Sequence, residues 1–262
     1  MADYILMRKS RNIISSILHV VLNILLGVGS VFITYVTDSW YIGIILVIIS
    51  KWRTFAVRPH YWWINLKSSL VDFIVGFSFV FITYCSGTEW QPVHTALAIL
   101  YTIWLILIKP RSTDFFAEFQ AIASVLLGTT ASVMLFASSN SLFLALSCFV
   151  IGFAASRHTL VQSDDNDFSL ITVSAGLFSA EIAWLCHSWL IVYAFSGTGI
   201  LIPQLAIIMS LVIFTLNRIY ASAIRHDGEI KLSEVTLPTV FSILSILIIV
   251  LFFSKPIFDI YI

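Results

Sequence analysis

Residues 12–36, NIISSILHVVLNILLGVGSVFITYV, contain no Asp, Glu, Lys or Arg. A helix that crosses a bilayer needs roughly 20 mostly apolar residues, and this stretch has them. Arg8, Lys9 and Arg11 stand just before it, so the opening superficially resembles a secretory signal. The apolar run is too long for the core of a cleaved signal, and no small-x-small site followed by soluble sequence appears. The stretch reads as a first permanent span.

Outward from it, eight more stretches qualify: about 39–57, 64–85, 90–108, 114–137, 140–156, 168–194, 199–220 and 236–253. Membrane barrel strands alternate apolar and polar residues over about ten positions. Continuous runs of this length predict helices instead. The expected fold is therefore an all-α integral membrane protein. It would be a bundle of about nine transmembrane helices in a single polytopic domain over residues 1–262. Composition agrees, because only 11% of the 262 residues are charged and 59% are hydrophobic. A soluble domain carries about 25% charged residues. The formal net charge is zero, which gives no basic bias toward nucleic acid.

The loops orient the chain. Lys and Arg favour the cytoplasmic side. The N-terminal triplet, then Lys51, Arg53, Arg58 and Lys67, then Lys109 and Arg111, then Arg157, then Arg218, Arg225 and Lys231 all fall on one face of a nine-span chain. The intervening loops, around Asp38, Glu89, Ser139 and Gly197, hold no basic residue, and only Lys255 falls on the other face. This pattern places the N-terminus in the cytoplasm and the C-terminus outside. The second span is the weakest. Its uncharged part runs only from Ser39 to Ser50, so it crosses only if Lys51 and Arg53 snorkel to the interface.

The halves repeat. Leu25-Leu26-Gly27 matches Leu126-Leu127-Gly128 at an offset of 101, Ser86-Gly87-Thr88 matches Ser196-Gly197-Thr198 at 110, and Pro92 matches Pro203 at 111. At 109, Asp72, Tyr84 and Lys109 match Glu181, Tyr193 and Arg218. Residues 12–110 and 114–220 would be parallel repeats of four spans, with the helix at 236–253 added. The alternative is chance matching within apolar sequence.

Ionisable residues at membrane depth are costly, so they usually face the bundle interior and mark function. Asp72 and Glu181 each precede a tyrosine near the outer interface by twelve residues, about 18 Å along a helix and close to the midplane. A desolvated carboxyl can carry a proton, as a relay requires; it can equally fix helix packing. Lys67 is a conceivable local partner for Asp72. In the first span, Ser16, His19, Asn23, Gly27, Ser30 and Thr34 share one helix face. The corresponding face of the fifth reads Ala117, Gln120, Ser124, Gly128 and Ala131. Small and polar stripes glue helices together in lipid, although His19 and Asn23 could line a polar cavity. Glu118 reads as a solvated interfacial residue and His187 as an interfacial or packing histidine.

The segment KWRTFAVRPHYWW, residues 51–63, interleaves basic and aromatic side chains. Lys51, Arg53 and Arg58 could hold anionic lipid headgroups, or the segment could simply anchor the interface. Asp164, Asp165 and Asp167 precede the seventh span, where Asp167 suffices as a helix cap. The cysteines, Cys85, Cys148 and Cys186, form no CxxC pair and read as small apolar residues. The histidines show no HxxxH or HExxH spacing, so neither a metal site nor a cofactor is expected. No phosphate loop or nucleophile elbow is present, and the sparse polar residues argue against an enzyme.

At SKWRTFAVRPHYWW, SSLVD, FVIGFAASRH and FSKPIF the chain resembles a family of polytopic bacterial membrane proteins of uncharacterised function. The resemblance implies a bacterial cytoplasmic membrane location and transfers no site residues. The leading expectation is a small transporter or permease, its partners being the lipid bilayer and a small solute or proton. The alternative is a structural or assembly subunit that binds lipids or other membrane proteins.

Overall fold

The computed structural model describes residues 2–87, 92–160, 168–195, 200–226 and 228–254, and for residues 2–16, 53, 54, 168, 195 and 200 the backbone alone. The features expected at Glu89, Asp164, Asp165, Asp167, Gly197 and Lys255 lie outside the described residues. So do the side chains of Arg8, Lys9, Arg11, Ser16 and Arg53.

The chain forms α1 (Ala2–Thr37), α2 (Trp40–Ser50), the single turn α3 (Trp52–Phe55), α4 (Trp62–Ser68) and α5 (Leu70–Cys85). There follow α6 (Pro92–Ile103), which continues as a π-helical turn over Trp104–Ile108, then α7 (Asp114–Phe136), α8 (Ser141–Leu160) and α9 (Phe168–Cys186). A hairpin of β1 (Val192–Phe195) and β2 (Ile200–Pro203) leads to α10 (Gln204–Arg225) and α11 (Leu232–Phe252).

Among the described residues, six of the nine expected stretches hold helices long and apolar enough to cross a membrane. A seventh crossing arises if α4 and α5, bent by 68° at Ser69, form one broken span. α2 and α6 are apolar but shorter. Two expectations need correction. The continuous helix expected over 64–85 is broken. The helices expected over 168–194 and 199–220 give way between Cys186 and Gln204 to an antiparallel hairpin in which Tyr193 pairs with Ile202. The reason is local: Val192, Tyr193 and Ile200 favour extended backbone, and Pro203 sets the point at which α10 can begin.

Apolar side chains face outward. Leu25, Leu170 and Leu237 are 62%, 68% and 78% exposed, while Ser30, Ser78, Ser124 and Thr129 are buried. Water would penalise such a surface, whereas lipid accepts it. The buried hydroxyls mostly bond back to their own helix, as Thr34 Oγ1 does to the Ser30 carbonyl at 2.7 Å and Ser78 Oγ to the Ile74 carbonyl at 2.6 Å. The fold is that of a multi-pass membrane protein.

α7 lies at the centre, packed against α5, α8 and α10. One apolar core joins α1, α5 and α6 with Ala131 of α7 and Ala154 of α8, and another joins α7, α8, α9 and α10. Ile74 packs against both. Close helix contacts depend on small residues. A side chain at Gly43 of α2 would overlap Thr34 of α1, and one at Gly152 of α8 would overlap Ser179 of α9. The tight turn from α1 to α2 is made at Asp38, with φ of 47°, a left-handed conformation that a short polar side chain tolerates.

Candidate functional site

The polar centre of the molecule is built where three helices are irregular. α2 ends after eleven residues and delivers Lys51 at its C-cap. The α4–α5 bend at Ser69 starts a new helix with Asp72 in its first turn. The π turn at the end of α6 delivers Lys109, whose N–H donates to the Trp104 carbonyl at 2.9 Å. Asp72 Oδ2 accepts from Lys51 Nζ at 2.7 Å and lies 3.4 Å from Lys109 Nζ. The Lys51 side chain is only 7% exposed and the Asp72 side chain 22%. Lys51 also sits over the Phe73 ring, 5.4 Å from its centroid. Two ammonium groups thus share one carboxylate, leaving one positive charge in excess.

The surrounding side chains hold this centre in place. Gln120 of α7 donates through Nε2 to the Ile108 and Arg111 carbonyls at 2.8 and 3.0 Å, which secures the π turn on both sides of Lys109. Its Oε1 accepts from His158 Nε2 of α8 at 2.8 Å. His158 and Tyr101 both lie within electrostatic reach of Asp72. Tyr101 is 1% exposed, is stacked on Phe79, and its hydroxyl has no partner among the described residues.

The expected residues fare unevenly. Asp72 is at the centre, but in the first turn of a new helix rather than midway along a continuous one. Its partners are Lys51 and Lys109; Lys67 lies instead over the Trp63 ring, 4.9 Å from its centroid. Glu181 is on the exposed face of α9, not in the bundle interior, and it has no hydrogen bond or ion pair among the described residues. Lys51, expected among the headgroup ligands, is turned inward, while Arg58 is exposed. His19 is exposed and Asn23 half-buried; Asn23 Nδ2 donates to His19 Nδ1 at 3.2 Å. The rest of that stripe, Gly27, Ser30 and Thr34, is buried at helix contacts. Its counterpart on α7 is buried throughout. His187 Nε2 donates to the Ser139 carbonyl at 3.2 Å, tying α9 to the α7–α8 turn.

Glu118 is not merely solvated. It pairs with Arg218 at 2.7 Å and is 17% exposed. Sequence reasoning also missed the convergence of Lys109 and Gln120 on the centre. Their signal was present: Lys109 ends an apolar run, and Gln120 interrupts a stripe of small residues.

Comparison with known proteins finds no matching family model, no similar curated protein and no similar solved structure.

Proposed function

We propose that this protein is a small secondary transporter of the bacterial cytoplasmic membrane, with Asp72 as the group that couples proton or ion movement to solute movement. The supporting observation is the convergence of three broken or shortened helices on one carboxylate with two lysines. α2, at eleven residues, is about 16 Å long, far short of a hydrocarbon core of about 30 Å. From Asp72 the remainder of α5 reaches Cys85, about 20 Å away. Transporters build their sites near the midplane from such discontinuous helices, and π turns are frequent at functional sites. A carboxylate shared by two lysines can exchange one of them for a proton or a cation. The released ammonium is then free to meet an anion.

Nine crossings, with α2, α4–α5 and α6 as incomplete spans, keep exposed basic residues such as Arg58 on the cytoplasmic face, while Lys51 and Lys109 reach inward to Asp72. Two parallel repeats are supported by a recurring set of neighbours. α1–α2, α2–α5 and α1–α6 pack together in the first half, as α7–α8, α8–α9 and α7–α10 do in the second. Gly76 faces Val47 as Gly176 faces Phe149, at offsets close to the 101 of the first helices. On that register Asp72 corresponds to Thr172, not Glu181. The larger offsets belong to Tyr193, Pro203 and Arg218, which lie in or after the hairpin.

Purified protein in liposomes, screened for proton-coupled uptake of small solutes, tests the proposal. Flux abolished by Asp72→Asn with folding intact is the expected result; unchanged flux in that variant removes Asp72 from the mechanism. A second reading, a subunit of a membrane complex, is favoured by exposed Glu181. A carboxyl on the outer face of a membrane helix is costly in lipid, and a partner would cover it. Co-purification of a stable partner, lost in Glu181→Leu, together with no flux in any screen, would establish that reading over the first.

A further inference from the structure

Residues 52–68 make an elbow ahead of α5: α3, the turn Pro59–Tyr61 and α4. α5 has 16 residues and is about 24 Å long, about 6 Å short of a hydrocarbon core of about 30 Å. α4 leaves it at 68°, so beside an upright α5 it runs close to the membrane plane. That depth is the boundary between headgroups and acyl chains, where in-plane amphipathic segments lie.

The elbow is held in shape and fixed to α5. α3 and α4 pack together. Trp62 Nε1 donates to the Phe55 and Val57 carbonyls at 3.0 and 2.9 Å, and the Phe55 and Trp62 rings meet edge to face at 6.0 Å. Phe55 also meets Phe73 of α5, with ring centroids 6.4 Å apart, and Phe73 is the ring beneath Lys51.

The outer surface of the elbow is apolar and basic. Trp52, Tyr61, Trp63 and Ile64 are all at least half exposed. Arg58 is exposed and has no ion pair among the described residues. Lys67 Nζ lies 4.9 Å from the Trp63 ring centroid, a contact that neutralises none of its charge. No Asp or Glu lies between Asp38 and Asp72 in the chain, and Asp72 is engaged by Lys51 and Lys109. The surface therefore presents positive charge with no carboxylate of its own segment to answer it.

We infer that this elbow is a docking surface for anionic phospholipid, with Arg58 and Lys67 on the headgroup phosphates and Trp52, Trp63 and Ile64 at the acyl boundary. Long basic side chains reach up from an apolar surface in this way, and the guanidinium fork of Arg58 matches phosphate oxygens. Uncompensated positive charge selects an anionic headgroup over a zwitterionic one. By holding α4 in the plane, the lipid holds the bend at Ser69, and with it the helix start that presents Asp72. The inference does not rest on the transport proposal, because its readouts are lipid affinity and unfolding rather than flux.

The test titrates the full chain, purified in a neutral detergent, with phosphatidylglycerol and, as the zwitterionic control, phosphatidylcholine. The rise in unfolding midpoint gives each affinity. Phosphatidylglycerol should bind roughly 25-fold more tightly, about fivefold for each of two basic residues at an anionic surface. Arg58→Gln and Lys67→Gln should each lose about fivefold, and the double variant should show no preference between the lipids. Lys231→Gln, at an exposed position at the N-cap of α11, should leave the preference unchanged. Equal affinity for the two lipids, an unaltered preference in the folded double variant, or an equal loss from Lys231→Gln overturns the inference.

Discussion

Asp72→Asn tests the buried ion centre directly. The substitution leaves Lys51, with a side chain 7% exposed, beside Lys109 and without a carboxylate. Removing one partner of a buried pair costs about 3–5 kcal/mol. Because Asp72 remains 22% exposed, solvent screens part of this, and the expected loss is about 3 kcal/mol. In a chain of this size that corresponds to roughly 6–12 °C in Tm, at about 2–4 °C per kcal/mol. Replacing both partners by groups without charge is near neutral, so Asp72→Asn combined with Lys51→Met should recover most of the loss. The assay is thermal unfolding in detergent, followed by tryptophan fluorescence, alongside flux in liposomes. Recovery of stability without recovery of flux separates the coupling role of Asp72 from its packing role. A single variant no less stable than a surface substitution, or a double variant no better than the single, would refute the argument.

Gln120→Leu should cost about 1–3 kcal/mol, because it leaves the Ile108 and Arg111 carbonyls and His158 without their shared partner; the unfolding midpoint reads it. Gly152→Val should force α8 from α9 at Ser179 and the Ala175 carbonyl and cost about 1–3 kcal/mol, whereas Gly29→Ala, with open space around it, should leave Tm unchanged. With the native cysteines replaced, a cysteine introduced at Ser139 should react with an impermeant reagent from outside the cell and one at Arg58 only after the cytoplasm is opened. Labelling in the opposite sense would invert the proposed orientation.

The membrane character of the chain was legible because it depends on composition and run length alone: a stretch such as 12–36 has few other stable destinations. The packing stripe was legible for a similar reason. Helical spacing places Gly27, Ser30 and Thr34 on one face whatever that face meets, and they are buried. Asp72 could be singled out because a carboxylate in an apolar run is conspicuous. The same rule also selected Glu181, which lies on the outer face of α9. One sequence contains the period of a helix but not the direction in which a given residue points.

Tertiary structure alone decided the partners. Lys51, Asp72 and Lys109 lie far apart in the chain and meet because α2 stops early, α4 turns away from α5 at 68°, and α6 ends in a π turn. Polar Lys67-Ser68-Ser69 stands at the α4–α5 bend and Pro110 directly follows the π turn, but such residues at the edge of an apolar run do not say which way the next helix points. The hairpin between α9 and α10 was hidden because Val, Tyr and Ile satisfy an apolar run in either conformation. What the residues determined by themselves was the solvent they require. Which polar groups face one another depended on where the backbone breaks, and those breaks are set by contacts between helices.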